Sequence, residues 1–435
     1  MKKFLMFTIA LGLFCGRSLA ADPAGTAPLT MAKDVLTWES SIQEAGRNNP
    51  DLVVAVESVD QARSLKAITD SAVFPQLDAN AGAGETRTTI DSAKTTTSHA
   101  YSYGVSGAWL LFDGFKSRNS IKAAALNIVA AQESYRFVSA DVRLQLRTAF
   151  VALLKAQALI RVTQEIARIR EDALKLITLR YKAGLEHRGA LWTTQASMTQ
   201  AKFDLQQAVR NLELAQRQLN KAMGRGVFKS IEASGELVVQ EEFHQKPDFE
   251  AMAQQHPSMK QAMAKKNAAD FTLRSIRGGY FPQLSVKAGA DKNGSVWPPE
   301  DRGLSAQVVV SLPLFEGGLR SAQVSQAASV LRQAEAQVRS TLDSTRLDLQ
   351  QAWETFREAV EAVESAKVSL AANEERSKIA AAQYSTGFIS YDNWTIIEDN
   401  IVQSKKTYLN VQANALLAEA QWINAKGETL EYAYQ

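Results

Sequence analysis

The sequence predicts a mainly α chain with a smaller β part, arranged as two tandem copies of one unit. Three observations predict it. Landmarks recur at constant offsets, long proline-free stretches carry apolar residues at a seven-residue period, and short segments alternate apolar with polar residues. The 435 residues could fill two or three ordinary domains, yet ten prolines and 46% hydrophobic residues suit long helices better than a mixed globular enzyme. Lys plus Arg number 49 and Asp plus Glu number 46. Lys2, Lys3 and Arg17 sit in an acid-free leader, so the remainder balances at 46 against 46. No basic surface is left for nucleic acid.

Residues 1–20, MKKFLMFTIALGLFCGRSLA, read as a secretory signal peptide with a basic start, an apolar run from Phe4 to Phe14 and Ser18-Leu19-Ala20 as the cleavage site. The single cysteine, Cys15, lies inside it, and Phe14 before it is a poor fit to a lipoprotein signal. Cleavage after Ala20 leaves a mature chain without a thiol, a disulfide or a cysteine metal site. No later stretch is apolar and long enough for a transmembrane helix, so insertion into a membrane requires a closed β-barrel.

The duplication is visible in the landmarks. Phe74-Pro75-Gln76-Leu77 recurs as Phe281-Pro282-Gln283-Leu284, and Asn49-Pro50 as His256-Pro257, both at an offset of 207. Phe112-Asp113-Gly114 matches Phe315-Glu316-Gly317, Tyr181 and Gly184 match Tyr384 and Gly387, and Gly224 matches Gly427, all at 203. One loop between Leu77 and Phe112 is therefore four residues shorter in the second copy. The copies span 36–226 and 243–428.

Each copy opens with a helix (36–73 and 247–279) that ends at the Phe-Pro-Gln-Leu break, since proline cannot continue a helix and pushes its predecessor into an extended conformation. A strand pair follows, 76–112 and 283–314. Leu77, Ala79, Ala81 and Ala83 alternate with Asp78, Asn80, Gly82 and Gly84, and Tyr101, Tyr103, Val105 and Trp109 alternate with small or polar residues. Leu284, Val286, Ala288, Ala290 and Leu304, Ala306, Val308, Val310 repeat the pattern. Segments 89–98 and 292–302 read as exposed loops. Four strands are too few to close a barrel, so either several protomers contribute or the strands form a sheet packed on helices in a soluble domain.

From Lys116 to Lys182 and from Leu319 to Ser385 the pattern is helical. Each such helix would be about 100 Å long at ~1.5 Å per residue. Leu342, Leu349, Phe356, Val363 and Leu370 recur every seventh residue, with Val338, Thr345, Ala352, Ala359 and Ala366 as a small-residue seam. The first copy keeps the register in Leu146, Leu153, Ile160 and Ala167, with Val142, Ala149, Ala156 and Thr163. That is knobs-into-holes packing. Gly184 and Gly387 cap the long helices, and the chain returns as helices 190–223 and 392–426. Catalytic chemistry finds no support. His99, His187, His244 and His256 lack metal-ligand spacing, Gly-Ala-Gly-Glu at 82–85 falls in a strand, and Trp192 and Trp394 read as packing residues. No cofactor or metal is expected, and the chain does not read as an enzyme.

At this point the residues resemble the TolC-type outer-membrane efflux proteins of tripartite efflux and type I secretion systems. Residues 36–52 look like the family's opening helix, the breaks at Pro75 and Pro282 like its helix-to-strand junctions, and Ser311-Leu-Pro313-Leu-Phe-Glu-Gly317-Gly318 like its strand-to-helix return, with 109–114 the weaker copy. Tyr-x-x-Gly at 181–184 and 384–387 is similar to its inner turns. The resemblance implies a homotrimer in the outer membrane of a Gram-negative bacterium. Each protomer would give four strands to a twelve-stranded barrel, continued by an α-helical tunnel across the periplasm. Partners would be outer-membrane lipid, a periplasmic adaptor and an inner-membrane pump of the RND, ABC or MFS type, with drugs, metals or proteins as cargo.

By the same resemblance the adaptor would dock on Ala183, Gly184, Leu185, Thr386, Gly387 and Phe388. Tyr181, His187, Arg188, Tyr384, Asp392, Asn393 and Glu398 would surround the gated entrance. The sequence departs from the family's acidic ring: Ile389 occupies the arginine position, and Asn393 and Ile396 fall where aspartates are expected. His187-Arg188 either adds base to the mouth or forms a charged surface turn. The competing class is a soluble periplasmic coiled-coil adaptor or structural protein, which would show one long hairpin rather than two equivalent halves.

Overall fold

The computed structural model describes residues 34–90, 94–239 and 246–430. The predicted signal peptide and His244 lie outside these residues. The first half runs β1 (Asp34–Leu36), α1 (Trp38–Asn48), α2 (Pro50–Ser71), β2 (Gln76–Ile90), β3 (Lys94–Phe112), α3 (Lys116–Lys182) and α4 (Arg188–Ala222). After β4 (Ile231–Ala233) the second half runs α5 (Phe249–Gln255), α6 (Pro257–Gly278), β5 (Gln283–Gly294), β6 (Asp301–Ser311), α7 (Leu319–Ser385) and α8 (Tyr391–Ala425).

The opening helix of each copy is not continuous, which corrects the sequence expectation. It breaks at Asn49 and His256, both extended, and restarts with proline in the first turn, where a missing N–H costs nothing. Asn49 Oδ1 accepts from the Asp51 amide at 2.9 Å, and His256 Nδ1 accepts from the Ser258 amide at 3.3 Å. Left-handed Gly224 and Gly427 pack against these breaks: a Cβ on Gly224 would lie 2.2 Å from the Asn48 carbonyl oxygen, and one on Gly427 2.7 Å from Pro257 Cδ. Four landmarks that set the repeat offsets therefore meet in two equivalent pairs. Beside the first of them, Arg225 ties the end of α4 to β1 and α1 through Glu44 at 2.5 Å and Asp34 at 3.1 Å. The same elements bury the cluster of Ile42, Leu146, Phe150, Leu153, Leu219 and Ile231.

The expected loop at 89–98 is strand at its described residues, 89–90 and 94–98, because threonine runs such as Thr95-Thr96-Thr97 favour extended backbone. The expected loop at 292–302 is a turn over residues 295–300 between β5 and β6. The four long strands form one antiparallel sheet in the order β2-β3-β5-β6, leaving an edge of β2 and an edge of β6 unpaired. Register puts like with like. Ala79 opposes Val105, Val105 opposes Ala290 and Ala290 opposes Leu304, while Trp109 opposes Val286 and Val286 opposes Val308. All the alternating apolar residues share this face. Asp78, Ser106, Gly289 and Ser305, with Lys287 and Gln307, share the other. Among the described residues no helix covers the apolar face, where Leu304 is 88% exposed and Val308 67%. At its outer end Trp297, from the β5–β6 loop, lies 6.1 Å from the Tyr101 ring and 6.0 Å from Tyr103. At its inner end Trp109 Nε1 donates to the Val73 carbonyl at 3.0 Å.

α3 and α7 each run 67 residues without interruption. The seam expected in α3 is buried at Val142, Leu146, Ala149, Leu153, Ala156 and Thr163, because α3 is flanked by α2, α4, α6 and α8. Of the expected seam in α7 only Thr345, Leu349 and Phe356 are buried, and Leu342, Val363 and Leu370 remain half-exposed. Sheet and helices join at a glycine contact. Gly114, with φ of 68°, faces Gly278, and a Cβ there would sit 2.3 Å from the Gly278 carbonyl oxygen. Ser275 Oγ donates to the Lys116 carbonyl at 2.9 Å beside it. Gly317, with φ of 59°, turns the chain into α7 with open space around it.

These two glycines separate backbone strain from crowding. Gly317→Ala should cost only the left-handed penalty, about 1–2 kcal/mol. Gly114→Ala adds a steric clash and should cost about 2–4 kcal/mol in total. Thermal unfolding midpoints of the two variants in detergent check the order.

Candidate functional site: the paired helical tips

The two helical hairpins end side by side, and their turns are built alike. The Leu185 amide donates to the Arg180 carbonyl at 2.9 Å and the Gly184 amide to Tyr181 at 3.0 Å. In the second copy Phe388 donates to Gln383 at 2.8 Å and Gly387 to Tyr384 at 3.1 Å. Both are Schellman closures, which need a residue at positive φ; Gly184 has 74° and Gly387 84°. The return helices then start with side-chain caps: His187 Nδ1 accepts from the Ala190 amide at 3.1 Å, and Ser390 Oγ from the Asn393 amide at 3.4 Å. Ala183, Gly184, Leu185, Thr386, Gly387 and Phe388 are all exposed, Phe388 by 84%.

Behind the turns the copies stop being equivalent. Tyr181 is 38% exposed, whereas Tyr384 is 1% exposed. The Tyr384 ring stacks on Trp394 at 4.6 Å with the planes parallel, and the Arg180 guanidinium lies over its other side at 4.7 Å from the centroid. Its hydroxyl crosses to the other tip and donates to Glu186 Oε2 at 2.6 Å. Burial, reinforced by the carboxylate of Glu186, pushes the Tyr384 phenol above its ordinary value. The group therefore stays a neutral donor at any physiological pH. Tyr391 completes the cluster through a 2.9 Å hydrogen bond with Thr194 Oγ1. Ala173, Ile177, Ala190 and Ala380 fill the space around it.

One turn deeper, Arg170, with only 10% of its side chain exposed, pairs with Asp399 at 2.5 Å, tying α3 to α8. Glu398 is buried and accepts from Ser377 Oγ at 2.7 Å, between α7 and α8. Lys405 reaches Glu165 at 3.1 Å and Glu374 at 3.0 Å. Asp392 and Asn393 are exposed in the first turn of α8. His187 and Arg188 are exposed, Arg188 lying 5.8 Å above the Trp192 ring. Trp394 packs in the core as expected, but Trp192 does not: it is 60% exposed, because α4 at that level has no neighbour within the chain on its side. Of the strand-junction residues, Pro75, Pro282 and Pro313 lie between helices and sheet, at the far end of the long helices from these tips.

Sequence reasoning overlooked Arg170, Arg180 and Glu186. Their cross-copy partners lie 198 to 229 residues away, so no local spacing marks them. His99, His187 and His256 stay far apart in the fold, and no group of metal-ligating side chains occurs among the described residues. The arrangement offers a clasp rather than a reaction centre.

Two substitutions test the clasp. Tyr384→Phe keeps the stack but deletes a hydrogen bond to a carboxylate, worth about 1.5–3 kcal/mol of tip-to-tip coupling. Higher single-channel conductance in a planar bilayer, with an unfolding midpoint lowered in proportion to that loss, is the expected result. Asp399→Ala strands Arg170 and should lower stability by about 1–3 kcal/mol, read from the same unfolding curve.

Comparison with known proteins follows the same architecture. The family model described as outer membrane efflux protein matches residues 41–225 and 250–428. The outer membrane efflux protein BepC of Brucella suis biovar 1 (strain 1330) is 24% identical over 422 residues, covering 94% of this chain and 88% of BepC. The cation efflux system protein CusC of Escherichia coli (strain K12) is 21% identical over 402 residues, 89% of this chain and 85% of CusC. A crystal structure of CusC superposes with a TM-score of 0.81 at 18% identity, over 93% of this chain and 98% of that one. The CmeC outer membrane channel of Campylobacter jejuni gives 0.80 at 15% identity, over 95% and 94%. With both halves matched and the whole element order shared, this chain belongs to the outer membrane efflux protein family, as an exit channel of the Gram-negative outer membrane.

Proposed function

We propose that three copies of this chain close a twelve-stranded barrel in the outer membrane and a helical tunnel beneath it. The assembly is the passive exit duct of a tripartite export system. The observation that carries this reading is the four-stranded sheet, with two unpaired edges and one continuous apolar face that no helix covers. A strand edge cannot remain open in hydrocarbon, so β6 of one protomer would pair with β2 of the next. From Tyr101 to Trp109, β3 advances eight residues. That is about 26 Å of strand, or roughly 20 Å of height at the ~40° tilt of such barrels, close to their apolar band. The half-exposed seam of α7 and the exposed Trp192, Phe203 and Leu214 of α4 would be covered by neighbouring protomers. A soluble spacer would have to leave all of this surface in water.

In this reading residues 1–20 direct export, and a periplasmic adaptor docks on the exposed turns at 183–185 and 386–388, tip against tip. Leu185 and Phe388 offer it apolar contacts. An inner-membrane pump of the RND, ABC or MFS type supplies cargo, including protein cargo if the system is of the type I secretion class. The clasp on Tyr384 holds the entrance closed until the docked partner separates the tips. Tyr181, His187, Arg188, Asp392 and Asn393 line the approach, with Glu398 held between helices behind them.

Closure is checked with Asn80→Cys on β2 combined in turn with Ser305→Cys, Gln307→Cys and Val309→Cys on β6. All four positions lie on the polar face. One register should yield a disulfide-linked trimer on a non-reducing gel, and the purified protein should give discrete conductance steps without strong cation preference, since no aspartate ring follows the second turn. Recovery as a soluble periplasmic monomer would exclude the reading.

A further inference from the structure

We propose that the outer rim of the barrel wall binds a phosphorylated lipid headgroup of the outer leaflet, through Lys292 and Arg302. The inference rests on the barrel reading above, which turns the apolar face of the sheet toward lipid. Register places Lys292 directly opposite Arg302 on one side and directly opposite Tyr103 on the other. All three side chains belong to the apolar face, immediately above Ala290 and Leu304. Neither cation has an ion-pair partner among the described residues. The acids adjacent in sequence, Asp291 and Asp301, alternate with Lys292 and Arg302 and so face the pore, and Glu300, in the β5–β6 loop, makes no ion pair with either cation among the described residues. Glu85, the single acid on that face of the strands among the described residues, lies 3.8 Å from His99.

Such sorting is costly without a ligand. Like charges directly opposite each other across two strands repel, and the register leaves no acid between them. An anion seated between the two removes the repulsion and gains charge-assisted hydrogen bonds, the guanidinium fork of Arg302 matching two phosphate oxygens. The surroundings select a lipid over a free anion. Tyr103, Tyr101 and Trp297 form an aromatic shelf at headgroup height, and the apolar column beneath offers an acyl chain a continuous surface.

Native mass spectrometry of the full-length mature protein in neutral detergent tests this. The added probes are a bis-phosphorylated outer-leaflet glycolipid, the same lipid stripped of its phosphates, and phosphatidylcholine. The wild-type trimer should prefer the phosphorylated lipid by about tenfold or more at low ionic strength. Lys292→Gln with Arg302→Gln should abolish the preference, while Lys287→Gln on the pore face should keep it. Equal binding of phosphorylated and stripped lipid by the wild type, full retention by the double variant, or displacement by inorganic phosphate would overturn the proposal. The double variant should still show wild-type conductance steps. A wild-type sample with neither trimer nor steps would overturn the barrel reading itself, and this inference with it.

Discussion

The structure depends on one constraint: backbone N–H and C=O groups cannot be left unpaired in hydrocarbon. A chain that places only four strands in a membrane is incomplete by itself, and the open edges of β2 and β6 state what is missing. The remedy is more sheet, and identical copies are the simplest source of matching edges. In the proposed trimer, where copies close the barrel, the helices that leave its rim must follow the same circle. That explains why α3 and α7 are long, uniform and unbroken, and why their seams carry small residues where backbones approach closely. Their packing energy comes from ordinary apolar burial, yet their arrangement is inherited from the sheet.

The long elements were legible because their signals are periodic and repeated. A seven-residue period running from Val142 to Ala167 inside a proline-free stretch leaves little ambiguity. Two-residue alternation separates Ala79, Val105, Ala290 and Leu304 from their polar neighbours within each strand, and the register then brings them onto one face. The misses have local causes. Asn49 and His256 look like interior residues of a helix until the proline after each is read as a first-turn residue and its predecessor as a cap. The threonine-rich connection was taken for a loop because its polarity outweighed its β-branching. At the tips, the exposed turns followed from glycine and hydrophobicity, but the clasp did not. Its members come from both copies, and only packing brings Arg180, Glu186 and Tyr384 together.

Duplication supplies two similar tips, and divergence makes them complementary. At equivalent positions Tyr181 is exposed while Tyr384 is enclosed, and Glu186 stands where the second copy has Ile389. A tip that kept its own carboxylate and its own buried tyrosine would close on itself. Splitting donor and acceptor between copies makes each hairpin depend on the other, so the bond reports the distance between hairpins rather than the state of one. The pair of Arg170 with Asp399 repeats this logic one turn deeper.

The loop between β5 and β6 carries a consequence for where the cell ends. Trp297 draws that loop onto the lipid side of the wall, against Tyr101 and Tyr103, and so away from the axis of the barrel. It therefore contributes no cover to the outer mouth. In the proposed trimer the water column inside the tunnel is continuous with the medium for about 100 Å, the length of the long helices. The permeability barrier is then displaced from the outer membrane to the far side of the periplasm. In that reading the hairpin tips do the sealing that the membrane itself does elsewhere.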